Sequence, residues 1–134
     1  MDRGGTYSDR PIRVLLVDDQ ERVRRALRQL LEAYPDIDVV GEAASGEAAI
    51  EVTERVDPDV VLMDSAMVKT TSGLSATREL KRRRHSQRVV MLTMDADLKT
   101  DARTSGVDEF LVKGFSAEAL LDTVRRVCGT TSGL

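Results

Sequence analysis

Five short apolar runs, each followed by a segment with helical character, constrain the fold of this chain more than any other feature. After the first run, IRVLLV at residues 12–17, apolar residues recur from Val23 to Leu31 at the spacing of one helix face. The later runs are IDVVG (37–41), DVVLM (59–63), RVVMLT (88–93) and EFLV (109–112), and the later predicted helices follow Ser45, span Leu74 to Arg84, span Leu98 to Ser105 and follow Ser116. Five strand-then-helix units predict an α/β protein whose parallel sheet is covered on both faces.

Composition narrows the class of protein. The 134 residues suffice for one domain, and 41% hydrophobic with 32% charged residues is typical of a globular chain. A net charge of -3 gives no electrostatic reason to expect nucleic acid as the main partner, and a lone cysteine, Cys128, excludes an internal disulfide. The apolar runs are too short to span a membrane, and residues 1–11 lack the apolar core of a secretory signal. We therefore expect a cytoplasmic protein with no membrane partner and a flexible N-terminal arm at residues 1–11.

Polar residues follow the ends of four predicted strands. Asp18 and Asp19 follow the first strand, Asp64 ends the third, Thr93 ends the fourth and Lys113 follows the fifth. In open parallel sheets the working crevice lies beyond the carboxyl ends of the strands. If the strand order brings these ends together, three acids, a hydroxyl and an amine meet at one edge.

Such a group of side chains suggests phosphoryl chemistry. Crowded carboxylates need a cation, and hard oxygen ligands suit Mg²⁺, which keeps several waters. A lysine can pair with a carboxylate and then with a phosphoryl oxygen. The pattern therefore favours a site that accepts a phosphoryl group, with an aspartate as the nucleophile.

The stretches LLVDDQ, VLMD, LT and FLVK, in this order, resemble the receiver (CheY-like) domain of bacterial two-component response regulators. The resemblance covers roughly Ile12 to Cys128, and all four stretches close predicted strands. It implies a (βα)5 flavodoxin-like three-layer sandwich, with a five-stranded parallel sheet in the order 2-1-3-4-5. That order would place the first and third strands side by side.

By position, the resemblance implies that Asp64 accepts a phosphoryl group from a histidine kinase. Asp18 and Asp19 match the acid pair that holds Mg²⁺, with Asp64 and the backbone carbonyl of Ala66 as further ligands. The implied activity is slow, Mg²⁺-dependent autophosphorylation and autodephosphorylation, so the chain is expected to be a signalling switch rather than an enzyme.

The resemblance also implies a switching mechanism. Thr93 matches a hydroxyl that moves toward the phosphoryl group, Lys113 matches the lysine that pairs with it, and Phe110 matches an aromatic ring that turns inward. The face formed by the predicted fourth helix, the fifth strand and the final helix would then change its packing. A homodimer through this face is a possible consequence.

The loop after Asp64 departs from the family pattern. Met67 is followed by Val68 where a proline is common, and the usual glycine eight residues after the aspartate is replaced by Ser72, with Gly73 one place later. Without proline, we expect this segment to be more mobile. The departure leaves open a second hypothesis, an atypical pseudo-receiver that binds a partner protein without being phosphorylated.

Other interpretations are weaker. A flavodoxin-like carrier or hydrolase is disfavoured because the chain has neither a Gly-rich phosphate loop nor a Gly-x-Ser-x-Gly elbow, and only two Tyr, two Phe and no Trp to stack a flavin. Asp18 and Asp19 could merely cap the first helix. His85, which follows KRRR, fits a solvated helix end better than a metal or phosphohistidine site. A nucleic-acid patch at KRRRH is a further alternative.

The expected organisation is an arm at 1–11, a receiver domain at 12–128 and a tail or linker start at 129–134. VVGEAASGEAAI and LTMDAD resemble receivers that usually precede a helix-turn-helix DNA-binding domain. This favours transcription as the regulated output, with DNA bound only through such a further domain. A truncated chain and a stand-alone receiver both remain open, with truncation slightly favoured.

Overall fold

A computed structural model describes residues 10–67, 72–95 and 106–129 of the chain. Five parallel strands form one sheet in the order β2-β1-β3-β4-β5, which confirms the predicted order 2-1-3-4-5. The strands are β1 (Ile12–Val17), β2 (Ile37–Ala43), β3 (Val60–Asp64), β4 (Arg88–Thr93) and β5 (Glu109–Val112). Two predicted boundaries were wrong: β2 continues to Ala43, and β3 starts at Val60 instead of Asp59.

Four helices lie within the described residues: α1 (Glu21–Glu32), α2 (Gly46–Val56), α3 (Gly73–Arg83) and α4 (Ala117–Val127). The predicted caps of α2 and α4 are confirmed, because the Ser45 hydroxyl accepts from Ala48 N–H and the Ser116 hydroxyl accepts from Ala119 N–H. Helix α3 begins and ends one residue earlier than the predicted span of Leu74 to Arg84. The predicted helix from Leu98 to Ser105 falls outside the described residues. Within the described part of the chain, no helix combines the length and apolar character needed to cross a membrane.

The sheet separates two apolar cores. Leu16 and Leu62 pack on one face with Leu120 and Val124 of α4. Leu15 and Met63 point to the other face, which is covered by side chains of α2 and α3. Burying one such side chain contributes about 1.5–3 kcal/mol, and burial on both faces explains why the strands read as unbroken apolar runs. The polar residues at the strand ends are therefore the ones that the sheet delivers to an edge.

An extra residue interrupts the pairing of β2 with β1. Val14 pairs with Val39 but Leu15 pairs with Gly41, so Val40 is left as a bulge. Because successive residues of a strand point to opposite faces, one inserted residue reverses the facing of everything after it. A Cβ on Gly41 would lie 3.2 Å from Val52 of α2, so Glu42, the next residue, points to the opposite face, where α1 lies.

Candidate functional site

Three acids meet at the carboxyl end of the sheet. The neighbouring strands β1 and β3 pair Val17 with Met63, so the residues that follow, Asp18 and Asp64, lie side by side. One carboxylate oxygen from each of Asp18, Asp19 and Asp64 lies within 4.8 Å of the other two. Asp18 and Asp64 are buried and Asp19 is half-buried. The structure therefore brings together the three acids that the sequence nominated.

Lys113 reaches the same cluster from the end of β5. Its Nζ lies 2.9 Å from Oδ1 of Asp64, and the Asp64 side chain is only 5% exposed while that of Lys113 is 29% exposed. The backbone N–H of Lys113 donates to the carbonyl of Thr93 at 2.6 Å, which ties the end of β5 to the end of β4. Among the described residues, the cluster thus contains three carboxylates and one ammonium.

The surroundings of Asp18 raise the pKa of its carboxyl. Burial raises the pKa of the Asp18 carboxyl above its ordinary value, and the charges of Asp64 and Asp19 raise it further. A hydrogen bond from Gln20 N–H, at 2.9 Å, and the charge of Lys113 oppose this rise without cancelling it. A cation beside the carboxylates would remove the repulsion.

The remaining predicted residues lie around the cluster. Thr93 is buried, and its hydroxyl accepts a hydrogen bond from Asp95 N–H at 3.0 Å. Phe110 pairs with Met91 in the sheet and is partly buried against the core on the α2 and α3 side. Ala66 is exposed, and its N–H approaches Oδ1 of Asp64 at 3.4 Å. Of the altered loop, residues 68–71 fall outside the described part of the chain, whereas Ser72 caps α3 by accepting from Ser75 N–H.

Gly73 sets how closely α3 approaches the end of β3. A Cβ at this position would lie 2.1 Å from the backbone oxygen of Asp64, so no other residue fits without displacing the backbone. Its own carbonyl accepts from the Thr77 hydroxyl at 2.8 Å, in the first turns of α3. The sequence showed this glycine only as shifted by one place, and it gave no sign of the close approach.

Two arginines and an acid near the cluster were missed by sequence reasoning. Arg24 donates to the backbone carbonyl of Asp18 at 2.6 Å and to Glu42 at 2.8 Å, and Arg28 donates to the other Glu42 oxygen at 2.7 Å. Burial would raise the pKa of Glu42, but the hydrogen bonds from Arg28 and Arg24 outweigh it and lower that pKa below its usual value. The i, i+4 spacing of the arginines could have indicated a shared partner.

The family is decided by a match over most of the chain. The family model described as "Response regulator receiver domain" matches residues 14–125. The chain belongs to the response regulator receiver domain family. The order of its strands and the position of its acid cluster agree with the resemblance that the four strand-end stretches carry.

Two curated relatives of this receiver are a response regulator protein and a transcriptional regulatory protein. It is 39% identical over 124 residues to the response regulator protein VraR of Staphylococcus saprophyticus, covering 91% of this chain and 59% of that protein. It is 37% identical over 116 residues to the transcriptional regulatory protein LiaR of Bacillus subtilis, covering 85% of this chain and 54% of LiaR. The chain thus spans between half and two-thirds of these relatives' lengths.

A solved structure shares the fold of this receiver. The complex described as CheX-CheY-BeF3-Mg+2 from Borrelia burgdorferi matches at a TM-score of 0.80, with 25% identity, and the match covers 88% of this chain and 90% of that chain.

Proposed function

We propose that this receiver is a phosphorylation-dependent switch in which Asp64 accepts a phosphoryl group from the phosphohistidine of a sensor kinase. The proposal is carried by the surroundings of Asp64. Carboxylate oxygens of Asp64, Asp18 and Asp19 lie within 4.8 Å of one another, and Lys113 Nζ lies 2.9 Å from Asp64 Oδ1. A group of this kind combines a nucleophile, oxygen ligands for a cation and a positive group for phosphoryl oxygens.

The transfer itself is a single displacement at phosphorus. A carboxylate oxygen of Asp64 forms a bond to phosphorus as the phosphorus–nitrogen bond of phosphohistidine breaks, and the leaving imidazole nitrogen takes a proton. Lys113, already at Oδ1, pairs with an oxygen of the incoming group. The chain's own contribution is to orient the nucleophile and balance charge, so we expect slow hydrolysis of the acyl phosphate rather than enzymatic turnover.

The donor set fits Mg²⁺. All three side chains offer hard oxygen ligands, and the raised pKa of Asp18, caused first by burial and then by Asp64, marks a charge that a divalent cation would relieve. Asp18, Asp19, Asp64 and the carbonyl of Ala66 would hold the ion. When bound, Mg²⁺ neutralises charge on the phosphoryl oxygens. The Borrelia burgdorferi complex of the same fold is described with both BeF3 and Mg²⁺, which supports this part of the proposal.

The conformational response begins at Thr93. Its hydroxyl accepts from Asp95 N–H, and movement toward a phosphoryl oxygen would exchange this bond for a charge-assisted one. The vacated space would let Phe110 turn inward, and this would shift the population between two packings of the surface around β5 and α4. Met94 and Val112 are exposed apolar side chains in this region, as a partner or homodimer surface requires.

We extend the proposal to the organisation of the chain. Residues 12–128 would be the switching unit, flanked by an arm at 1–11 and a tail or linker at 129–134. Because the relatives include a transcriptional regulatory protein and are longer than this chain, the output would be transcription through a further DNA-binding domain. The cytoplasm would be the site of action, where the kinase domain and DNA are accessible.

The test is phosphorylation by acetyl phosphate with Mg²⁺, followed by intact-mass and peptide mass spectrometry. We expect one added phosphoryl group on Asp64, and none with Asp64→Asn. Asp38→Asn, which changes an exposed acid on β2, is the matched control and should leave labelling unchanged. Labelling that persists in Asp64→Asn would refute the assignment.

The low exposure of Asp64, 5% for its side chain, favours one alternative. In a pseudo-receiver the Asp64–Lys113 pair would be a permanent structural bridge, and the domain would bind its partner without phosphorylation. Beryllofluoride separates the two functions: an acceptor forms a complex with it in the presence of Mg²⁺, and the amide resonances of Asp64 and Thr93 shift. A pseudo-receiver gives no shift.

A further inference from the structure

The acidic loop after β1 is held by a bridge that crosses from α1 to β2. Arg24 of α1 donates through Nη1 to the backbone oxygen of Asp18 and through Nε to Glu42 of β2. We propose that Arg24 is a positioning residue for the Asp18–Asp19 acid pair and that Glu42 is its anchor. This inference rests on the proposed function, because it concerns the same cation site.

The contacts of Asp18 close a ring. Its N–H donates to the carbonyl of Ala43 at 3.1 Å, its carbonyl accepts from Arg24 at 2.6 Å, and Oδ1 accepts from Gln20 N–H at 2.9 Å. Since Ala43 follows Glu42 in the chain, the ring runs from Asp18 to Arg24, to Glu42, to Ala43 and back. Both backbone polar groups of Asp18 are thus fixed to β2, one directly and one through Arg24.

The residue types suit this role. The guanidinium of Arg24 presents several N–H donors in a rigid plane, so that it can serve a carbonyl and a carboxylate together, which the single ammonium of lysine does less well. The side chains of Arg24 and Glu42 are only 15% and 29% exposed, so the bridge is shielded from most solvent screening. The geometry also depends on the β2 bulge, because unbroken alternation from Val39 through Val40 would point the Glu42 side chain to the α2 face.

The bridge bears on cation binding through preorganisation. A cation binds more tightly when the backbone that carries its carboxylate ligands is already in place. Mutating residues that orient metal ligands without touching the metal typically changes the metal affinity by about 10- to 100-fold. Without Arg24, the carbonyl of Asp18 loses its side-chain donor, and the loop carrying both acids loses one of its two ties to β2. We therefore expect weaker Mg²⁺ binding while the carboxylates themselves are unchanged.

Arg28 provides a matched control. It lies one helical turn after Arg24 on the same face of α1 and donates to the other oxygen of the same acid, Glu42, at 2.7 Å. Its second donor, Nη1, goes to Glu32 and not to the acidic loop. Arg24→Gln and Arg28→Gln therefore each remove one charge and one ion pair with Glu42, but only the first removes a contact with Asp18.

The experiment measures the dissociation constant of Mg²⁺, as the chloride, for the unphosphorylated 134-residue chain by two-dimensional amide NMR. We expect Arg24→Gln to weaken Mg²⁺ binding about tenfold and Arg28→Gln to change it by less than about twofold. Glu42→Ala, which removes the anchor, should weaken binding as Arg24→Gln does. In Mg²⁺-free buffer, the amide resonances of Asp18, Asp19 and Gln20 should shift in Arg24→Gln only.

The outcomes separate this inference from the proposed function. Urea unfolding of the two arginine variants tests for a merely structural role: similar midpoints combined with different Mg²⁺ affinities support positioning. Equal Mg²⁺ affinities in Arg24→Gln, Arg28→Gln and wild type would overturn the inference and leave the proposed function intact. A wild-type chain that binds no Mg²⁺ would overturn both, and wild-type affinity in Glu42→Ala would overturn the role of the anchor.

Discussion

The two ends of α3 use charge in opposite ways. At its start, Gly73 presses against the backbone of Asp64, beside a cluster in which three acids face one lysine. Near its end, Glu79 accepts hydrogen bonds from Arg82 and Arg83, so that the acid is more than balanced. Among the described residues, carboxylates outnumber cations in the first arrangement, and cations outnumber carboxylates in the second.

The pKa values express the same contrast. Hydrogen bonds from Arg82 and Arg83 lower the pKa of Glu79 to about 2, whereas burial and neighbouring acids raise the pKa of Asp18. Balanced ion pairs at an exposed helix end fix local structure and contribute little else. A buried excess of one sign costs stability and is kept where a ligand of the opposite sign is bound. The difference supports the proposal that the acid cluster, and not the richer array of ion pairs, is the functional end of α3.

The largest effect should come from the contact between α3 and β3. Gly73→Ala places a methyl group against the Asp64 carbonyl, so we expect a loss of about 3 kcal/mol in the free energy of unfolding, measured in urea. Phosphorylation by acetyl phosphate should fall as well, because the displaced backbone carries the acceptor. The control is Ser75→Ala in the same first turn. If Gly73→Ala unfolds at the wild-type urea concentration, the close approach does not constrain the chain.

A smaller effect of opposite sign is expected at the acid cluster. Asp18→Asn removes one of the repelling charges but keeps an oxygen for Gln20 N–H, so stability at pH 7 should rise by about 1 kcal/mol. The folded-state pKa of Asp18 is raised, so the free energy of unfolding of the wild-type chain falls as pH rises from about 4, the usual pKa of an aspartate, through the pKa of Asp18 in the folded state. Asp18→Asn should not show this fall. The measurement is urea unfolding without Mg²⁺ from pH 4 to 7.

The same variant tests the role of the cation. Adding Mg²⁺ at about ten times its dissociation constant should stabilise the wild-type chain by about 1.4 kcal/mol and Asp18→Asn far less. Equal stabilisation of both proteins would mean that Asp18 is not a ligand. A fall in stability on Asp18→Asn in Mg²⁺-free buffer would contradict the picture of repelling acids.

The smallest effect is expected at the other end of α3. Arg82→Gln removes one of the two arginines around Glu79, both pairs being exposed, and should lower the free energy of unfolding only slightly, far less than Gly73→Ala does. The difference should shrink further in 1 M salt, because exposed charges are screened. Thermal unfolding at low and high salt measures it. A loss comparable to that of Gly73→Ala would erase the distinction between the two ends.

The sequence predicted the parallel strands and the polar residues at their ends because both follow from local patterns. Apolar runs identify buried parallel strands, and a polar residue at the end of each run must emerge at the same edge. Asp18, Asp64 and Lys113 could therefore be selected before any coordinates, and the resemblance supplied the order that joins them.

What the sequence did not predict depends on tertiary contacts. The bulge at Val40 arises where β2 meets β1, and its one sign in IDVVGEA is Gly41, since a glycine inside a strand often marks a bulge. Arg24 and Glu42 are separated by 18 residues, and their pairing exists only after that bulge has set the direction of Glu42. The role of Gly73 likewise depends on how closely a helix approaches a strand, which residue pattern does not encode.

The bulge has a second consequence at the outer boundary of the sheet. As the outermost strand next to β1, β2 leaves one row of its amide and carbonyl groups without a neighbouring strand in this sheet, and such a row can recruit a strand from another molecule. The residue inserted at Val40 disturbs the even spacing of the backbone N–H and carbonyl groups with which another strand would have to pair. At the opposite boundary, β5 is only four residues long. Irregularity on one side and brevity on the other thus oppose uncontrolled strand pairing between copies of this domain.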